Sequence, residues 1–365
     1  MPTPSSADDS TSSPTKRPAV RVVAIGGGTG LSTLLKGLKR YVGSGDKTIP
    51  PGYPSIAELC AVVTVSDDGG SSGRLRKELN MPPPGDIRNC IVALSEDEAL
   101  LSQLFRHRFQ KGSGLEGHSF GNLFLAALTS ITSDFSEAVR LSSEILLTRG
   151  RIYPATTSHV ELEAAMEDGS HVRGETNITA SKGRIRELYL LPPDAKPMPE
   201  TLEAIERADL ITIGPGSLFT SLIPNLLVKG IAQSIVNSNA IKVFICNLMT
   251  QANESLGLTA ADHIRALNRH AQARIFDYAF INQTTVSAAM KAKYALEGAS
   301  QIVTDVDAIE GLGVCPVMGD YVEEGEVARH ATDRVAGDLM QLIAQAPVSG
   351  HSRACAQEPS ALPQD

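Results

Sequence analysis

The sequence predicts an α/β protein with a Rossmann-like, mostly parallel sheet, helices on both faces and a small β-rich insertion. Three observations carry this. Short apolar, β-branched runs (VRVVAI, LCAVVTV, LITI, IKVFIC) recur along the chain and end at glycine-rich or polar loops. Strands that read as continuous apolar runs are those buried on both faces of a parallel sheet. Segments with helical spacing separate these runs, whereas residues 155–192 alternate charged and β-branched side chains, as exposed antiparallel strands do.

Taken in order, residues 1–19 are rich in Ser, Thr, Pro and Asp and lack the apolar stretch of a secretory signal, so a disordered tail is expected. One folded domain is expected over 20–346, with a second flexible tail over 347–365. Residues 20–25 read as a buried strand that stops at glycines. Residues 31–42 follow as an amphipathic helix, giving strand, glycine turn, helix. Residues 59–65 form a second buried strand. Helical patterns lie near 87–94, 99–109, 122–131 and 135–147. After the insertion, a helix over 201–208 precedes a strand over 210–213, and GPGS follows at once. Further strands are expected at 241–246, 276–281 and 301–306, and an amphipathic helix at 333–346.

The composition narrows the function. The 365 residues contain 33 Lys and Arg against 41 Asp and Glu, a net charge of −8. That balance opposes a nucleic-acid partner, which needs a basic surface. Aromatics make up 4% and Trp is absent, which weakens readings based on stacking. Five cysteines stand far apart with no CxxC pair, so neither a zinc ribbon nor a disulfide framework is expected. No uninterrupted apolar stretch nears the roughly 18 residues of a membrane span. A cytoplasmic location is the expectation.

The chemistry-bearing residues sit at strand ends, where open α/β sheets bind ligands. Gly26, Gly27, Gly28, Thr29 and Gly30 form the first loop. Glycines let the main chain approach a phosphate, and the next helix offers free N–H groups. Leu31 stands where a dinucleotide fingerprint wants glycine, and no Walker lysine is present. Asp67 and Asp68 open SDDGGSSGR. Adjacent carboxylates suit Mg²⁺ bridging to phosphates, and Asp67 could instead hold a ribose hydroxyl. Asp86, in PPPGDIRN, reads equally as a helix cap or a functional group. His118 and Asn122, in GHSFGN, read as structural hydrogen bonders as readily as ligand contacts. Gly214, Gly216 and Ser217 repeat the anion-loop logic of the first motif, and two such loops suit a nucleoside diphosphate derivative. No pairing of nucleophile and general base is legible.

Together GGGTGLSTLLKGLK, TVSDDGGSSGRLR, PPPGDIRNC, GHSFGNL, GPGSLFTSLIPNLLV and CNLMTQANES resemble the YvcK, or gluconeogenesis factor, family. That family lies in the superfamily of the 2-phospho-L-lactate transferases (CofD-like). The resemblance covers about residues 20–346. It implies a cytoplasmic regulatory protein that binds UDP-sugars, notably UDP-N-acetylglucosamine, and supports cell shape and cell-wall metabolism under gluconeogenic growth. It also implies that Arg329 contacts the sugar nucleotide. Thr332, beside it, becomes a candidate site for a bacterial Ser/Thr kinase, and cell-wall synthesis proteins or a second copy of the chain become candidate partners. The alternative is a metal-dependent transferase of the 2-phospho-L-lactate type, with Asp67 and Asp68 holding Mg²⁺.

Overall fold

The computed structural model describes residues 19–43, 49, 52–96, 100–181 and 183–345; of the expected tails, residues 1–18 and 347–365 lie outside them. Its centre is β1 (Val20–Gly26), which pairs in parallel with β2 (Ile56–Val63). β3 (Arg151–Pro154) continues the sheet beyond β2. The chain then leaves the sheet for β4 (Glu161–Met166), β5 (His171–Arg173) and β6 (Ile185–Leu191), a separate antiparallel sheet of order β5-β4-β6. It returns on the far side of β1 as β7 (Leu210–Ile213), followed outward by β8 (Ile241–Ile245), β9 (Tyr278–Asn282) and β10 (Cys315–Gly319). A hairpin, β11 (Val322–Glu324) and β12 (Ala328–His330), precedes the last helix, Thr332–Gln345.

The main sheet therefore runs β10-β9-β8-β7-β1-β2-β3, and every pairing in it is parallel. Winding proceeds from β1 to one side and then, from β7, to the other. The crevice between β1 and β7 is the topological switch point, where doubly wound sheets bind ligands.

Alternation along β1 builds two cores. Val23 and Ile25 face one side, with Ile205, Ile264 and Leu267 of helices Pro199–Arg207 and Ala260–Ala271. Val22 and Ala24 face the other, with Leu34 and Leu35 of helix Gly28–Leu38, Ile91 of helix Gly85–Leu94 and Leu339 of the last helix. An Arg21–Asp209 clamp joins the starts of β1 and β7. Arg21 donates through its amide at 2.7 Å and through Nε and Nη2 at 3.0 and 2.9 Å. Among the described residues no single helix is long and apolar enough to cross a membrane.

Two expectations about individual elements are corrected. Residues 301–306 form no strand: Gln301 makes an isolated bridge to Met249, and helix Val306–Gly311 follows. The edge strand is β10, whose Pro316 hides it from a strand reading; proline is tolerated at an edge, where one side of the ladder needs no donor. Inside the β-rich insertion, ETNITA is helix Glu175–Ala180 rather than strand. Gly174, at φ +87°, turns the chain there, and Asp68 accepts from the Thr176 amide at 2.9 Å and its hydroxyl at 2.6 Å. The insertion is not a free-standing hairpin, because Leu162, Ala164 and Leu188 join the first core.

The last helix lies directly on helix Gly28–Leu38. A β-carbon on Gly37 would stand 2.6 Å from the Thr332 carbonyl oxygen and 2.8 Å from the Ala336 β-carbon. Gly37→Ala is expected to destabilise the fold by about 1–3 kcal/mol through overpacking, read as a lower midpoint in chemical denaturation; an unchanged midpoint would show that the two helices part freely.

Candidate functional site

An open cleft of about 540 Å³ lies over the switch point between β1 and β7. Gly27, Gly28, Thr29 and Gly30 form one wall, and Gly216 and Ser217 the next. Arg329 and His330 of β12 close the opposite side. The structure thus gathers both glycine loops and Arg329, which are up to about three hundred residues apart in sequence. Gly26 and Gly214 are not in the wall. Gly26 ends β1. Gly214, at φ +93°, turns the chain so closely that a β-carbon would meet the Ile245 carbonyl oxygen at 2.6 Å.

The two loops are not equivalent. The first begins helix Gly28–Leu38, whose cap Gly27 offers no side chain, so its opening N–H groups have no partner within the helix. One of them is already used: Gly28 N–H donates to Asp86 Oδ2 at 2.7 Å. Those of Thr29 and Gly30, residues of the cleft wall, make no hydrogen bond among the described residues. In the second loop, Gly216 N–H donates to Asn247 Oδ1 at 3.1 Å, and Asn247 Nδ2 returns a bond to Gly216 O at 2.7 Å. Gln251 Nε2 donates to Ser217 Oγ at 2.8 Å. The helical segment after Ser217 also meets an internal carboxyl group, whose pKa burial raises. The buried Glu254 accepts from Thr220 Oγ1 at 2.8 Å, and Phe219 supplies a backbone N–H. The second loop expected to cradle an anion thus has its Gly216 N–H and Ser217 hydroxyl engaged by side chains.

Asp67 and Asp68 lie beside the cleft, outside its wall. Asp67 Oδ1 accepts the Gly69 N–H at 2.9 Å, and Asp68 is engaged by Thr176. Glu175 joins them from the insertion; burial and then the charges of Asp67 and Asp68 push its pKa up to about 7. Asp86 is likewise raised to about 6, by burial first and Asp67 second, against the bond from Gly28. Among the described residues, no three His, Cys, Asp or Glu side chains are grouped to hold a metal. An all-protein Mg²⁺ cage is therefore not built here. Mg²⁺ fits only in its other habit, with one or two carboxylates and the rest of its shell from phosphates and water.

The remaining motifs form a strut next to this acidic group. Ser71 Oγ lies 2.9 Å from His118 Nδ1 and accepts from Asn122 Nδ2 at 3.1 Å. Arg88 donates to Ser119 Oγ at 2.6 Å. These five side chains hold helices Gly70–Leu79, Gly85–Leu94 and Phe120–Thr132 in register. Thr332 is the first residue of its helix, and the Ala331 carbonyl before it accepts from Val335 N–H at 3.1 Å. Arg329 is exposed, with no ion pair among the described residues. Sequence reasoning missed Asn247, Gln251 and Tyr294 as wall residues. The first two stand in NLMTQ just beyond β8, where the strand-end rule could have found them. Tyr294 comes from an exposed helix with no such signal.

His330 lines the cleft, and its Nε2 lies 3.0 Å from the Cys246 carbonyl oxygen. Burial lowers its pKa to about 4, against the opposing effect of that bond. Unfolded histidine titrates near 6.5, so the contribution of the neutral ring to stability is full above about 6.5 and is lost as pH falls toward 4. His330→Gln keeps a donor for Cys246 and cannot titrate. The variant should lose less stability than wild type between pH 7 and pH 4, by up to about 3 kcal/mol, in paired denaturation curves. Parallel curves would place the proton elsewhere.

Comparison with known proteins agrees with this architecture. A family model described as 2-phospho-L-lactate transferase CofD matches residues 22–322. A gluconeogenesis factor from Halalkalibacterium halodurans is 48% identical over 321 residues, covering 88% of this chain and 95% of that one. A gluconeogenesis factor from Bacillus subtilis is 45% identical over 324 residues, covering 88% and 98%. The crystal structure of a UPF0052 family member from Bacillus halodurans superposes with a TM-score of 0.83 at 47% identity, covering 89% of this chain and all of that one. The chain belongs to the CofD family, within its group of gluconeogenesis factors.

Proposed function

We propose that the chain is a cytoplasmic UDP-sugar-binding regulatory protein that takes UDP-N-acetylglucosamine in the switch-point cleft and links its level to cell shape and cell-wall metabolism. The single observation that carries this is the pairing of open amides at Thr29 and Gly30 with the unpaired Arg329 across one cleft. Helix amides and an arginine fork are the two groups that recognise phosphate most effectively. The cleft's volume also falls in the range of small-molecule sites. Glucose-nucleotide binding by the relatives is not what their names state; gluconeogenesis factor fits a protein that senses an activated sugar.

A transferase reading has its own support. Asp86 accepts the Gly28 N–H, and the charge of Asp67 helps raise its pKa. The two carboxyls could share Mg²⁺ with a donor's phosphates, and phosphoryl-type transfer needs mainly positioning and charge neutralisation. Turnover of a phospholactate-type donor, lost in Asp67→Asn, would establish it over the regulatory reading.

Regulation through Thr332 belongs to the same proposal. Its methyl side packs at Gly37, and Asp333 next to it pairs with Arg40. A phosphate added by a Ser/Thr kinase would displace that packing and compete for Arg40, Arg334 and Arg329. Thr332→Glu is expected to change UDP-sugar affinity while Thr332→Ala does not; equal affinities in both variants would remove the regulatory role.

Calorimetric titration tests the ligand. UDP-N-acetylglucosamine should bind the wild type. Arg329→Ala should weaken it by at least about tenfold, the loss of one charge-assisted bond of about 1.5–3 kcal/mol. Gly28→Val should abolish binding, because the backbone there is at φ +62°, which a β-branched residue adopts only with strain. Unchanged affinity in both variants would move the ligand out of this cleft.

A further inference from the structure

We propose that Asp86 and Glu254 set the charge selectivity of the cleft, admitting a ligand with one diphosphate diester and rejecting one with a terminal or third phosphate. This deepens the UDP-sugar reading and rests on it. Both residues are buried carboxyl groups at the loops where a phosphate would otherwise be welcomed. Asp86 Oδ2 holds the Gly28 N–H at 2.7 Å. The same oxygen lies 2.8 Å from where a β-carbon on Gly27 would be, so the carboxylate is wedged directly behind the wall. Glu254 occupies the start of the second helical segment through Thr220 and Phe219. Its Oε2 makes no hydrogen bond among the described residues, and burial pushes its pKa up from the usual carboxylate value.

The cations nearby are few. Among the described residues Arg329 is the only Lys or Arg in the cleft wall, and Glu297 lies in the same wall. Arg88, the cation facing Asp86, already donates to Ser119 at 2.6 Å and Asn89 at 2.7 Å. A triphosphate site normally adds cations and free amides for each further charge. This one subtracts them, by spending Gly28 and Gly216 N–H groups on side chains. One arginine and the two remaining amides can balance the two charges of a diphosphate diester. Every further negative charge meets Coulomb repulsion from Asp86 and Glu254 in a partly desolvated setting.

The test is calorimetry on the full chain at pH 8 with EDTA, so that no metal neutralises the phosphates, using UDP-N-acetylglucosamine, UDP and UTP. In the wild type, affinity should fall in that order, by at least about tenfold from first to last. Asp86→Asn keeps an acceptor for Gly28 and removes the charge; Glu254→Gln does the same at Thr220. Each should narrow the ratio between UDP-N-acetylglucosamine and UTP by roughly threefold or more, with circular dichroism and melting confirming a native fold. If one variant does not fold, the other decides. Wild-type binding of UTP within about twofold of UDP-N-acetylglucosamine, or substitutions that shift all three ligands alike, would overturn the selectivity while leaving UDP-sugar binding intact. Failure of the wild type to bind any uridine ligand would overturn the underlying reading and this inference with it.

Discussion

A β-carbon at Gly30 would stand 2.3 Å from the Pro215 carbonyl oxygen, and much of the site depends on that close approach. It brings the loop after β1 against the loop after β7 at the point where the winding of the sheet reverses. Both loops are held from below. Asn225 donates to the carbonyls of Gly26 at 3.3 Å and Ser221 at 2.8 Å, tying the end of β1 to the helix that follows β7. The Arg21–Asp209 clamp registers the same two strands at their other end. The cleft is therefore an opening between two loops on adjacent central strands, the most rigid part of an α/β sheet.

The polar groups around that opening are more self-sufficient than a glycine count suggests. Backbone N–H groups that lack a partner are costly when buried, and this protein satisfies several with its own side chains: Asp86 at Gly28, Asn247 at Gly216 and the Glu254 group at the second helical segment. What is left for a ligand is narrow and directional. The cost is a group of carboxylates behind the wall. Burial raises Asp86 and Glu175 toward neutrality, the expected response when like charges share a partly desolvated space. The insertion contributes to this group through Glu175 and is fastened to it by the bonds from Thr176 to Asp68. It is thus part of the site's surroundings as well as of the core.

The hairpin that carries Arg329 belongs to a third, smaller apolar cluster. Leu248, Met249, Val286 and Met290 are its buried members, with Val322 and Ala328 packed on them. Ser287 Oγ and amide bonds to Glu324 fasten helix Ala288–Ala295 to the hairpin. The far wall of the cleft is therefore built from the last third of the chain, around a small cluster of its own.

The sequence by itself determined the sheet and the strand-end loops. Apolar runs such as Val20–Gly26 and Leu210–Ile213 can be satisfied only when buried on both faces, and glycines at their ends can only be turns; those are local facts of volume and backbone freedom. It also marked Gly27 to Gly30 and Ser217, which line the cleft. Tertiary structure decided what local patterns do not encode. Pro316 looked unlike a strand residue until β9 offered it an edge. ETNITA became a helix because Asp68, more than a hundred residues earlier, caps it. The amides of Gly28 and Gly216 looked available until Asp86 and Asn247 arrived from other elements. Whether a polar group is free is a property of its neighbours in space. That is why the sequence could locate the loops, while only the folded chain could show which of their hydrogen bonds were already made.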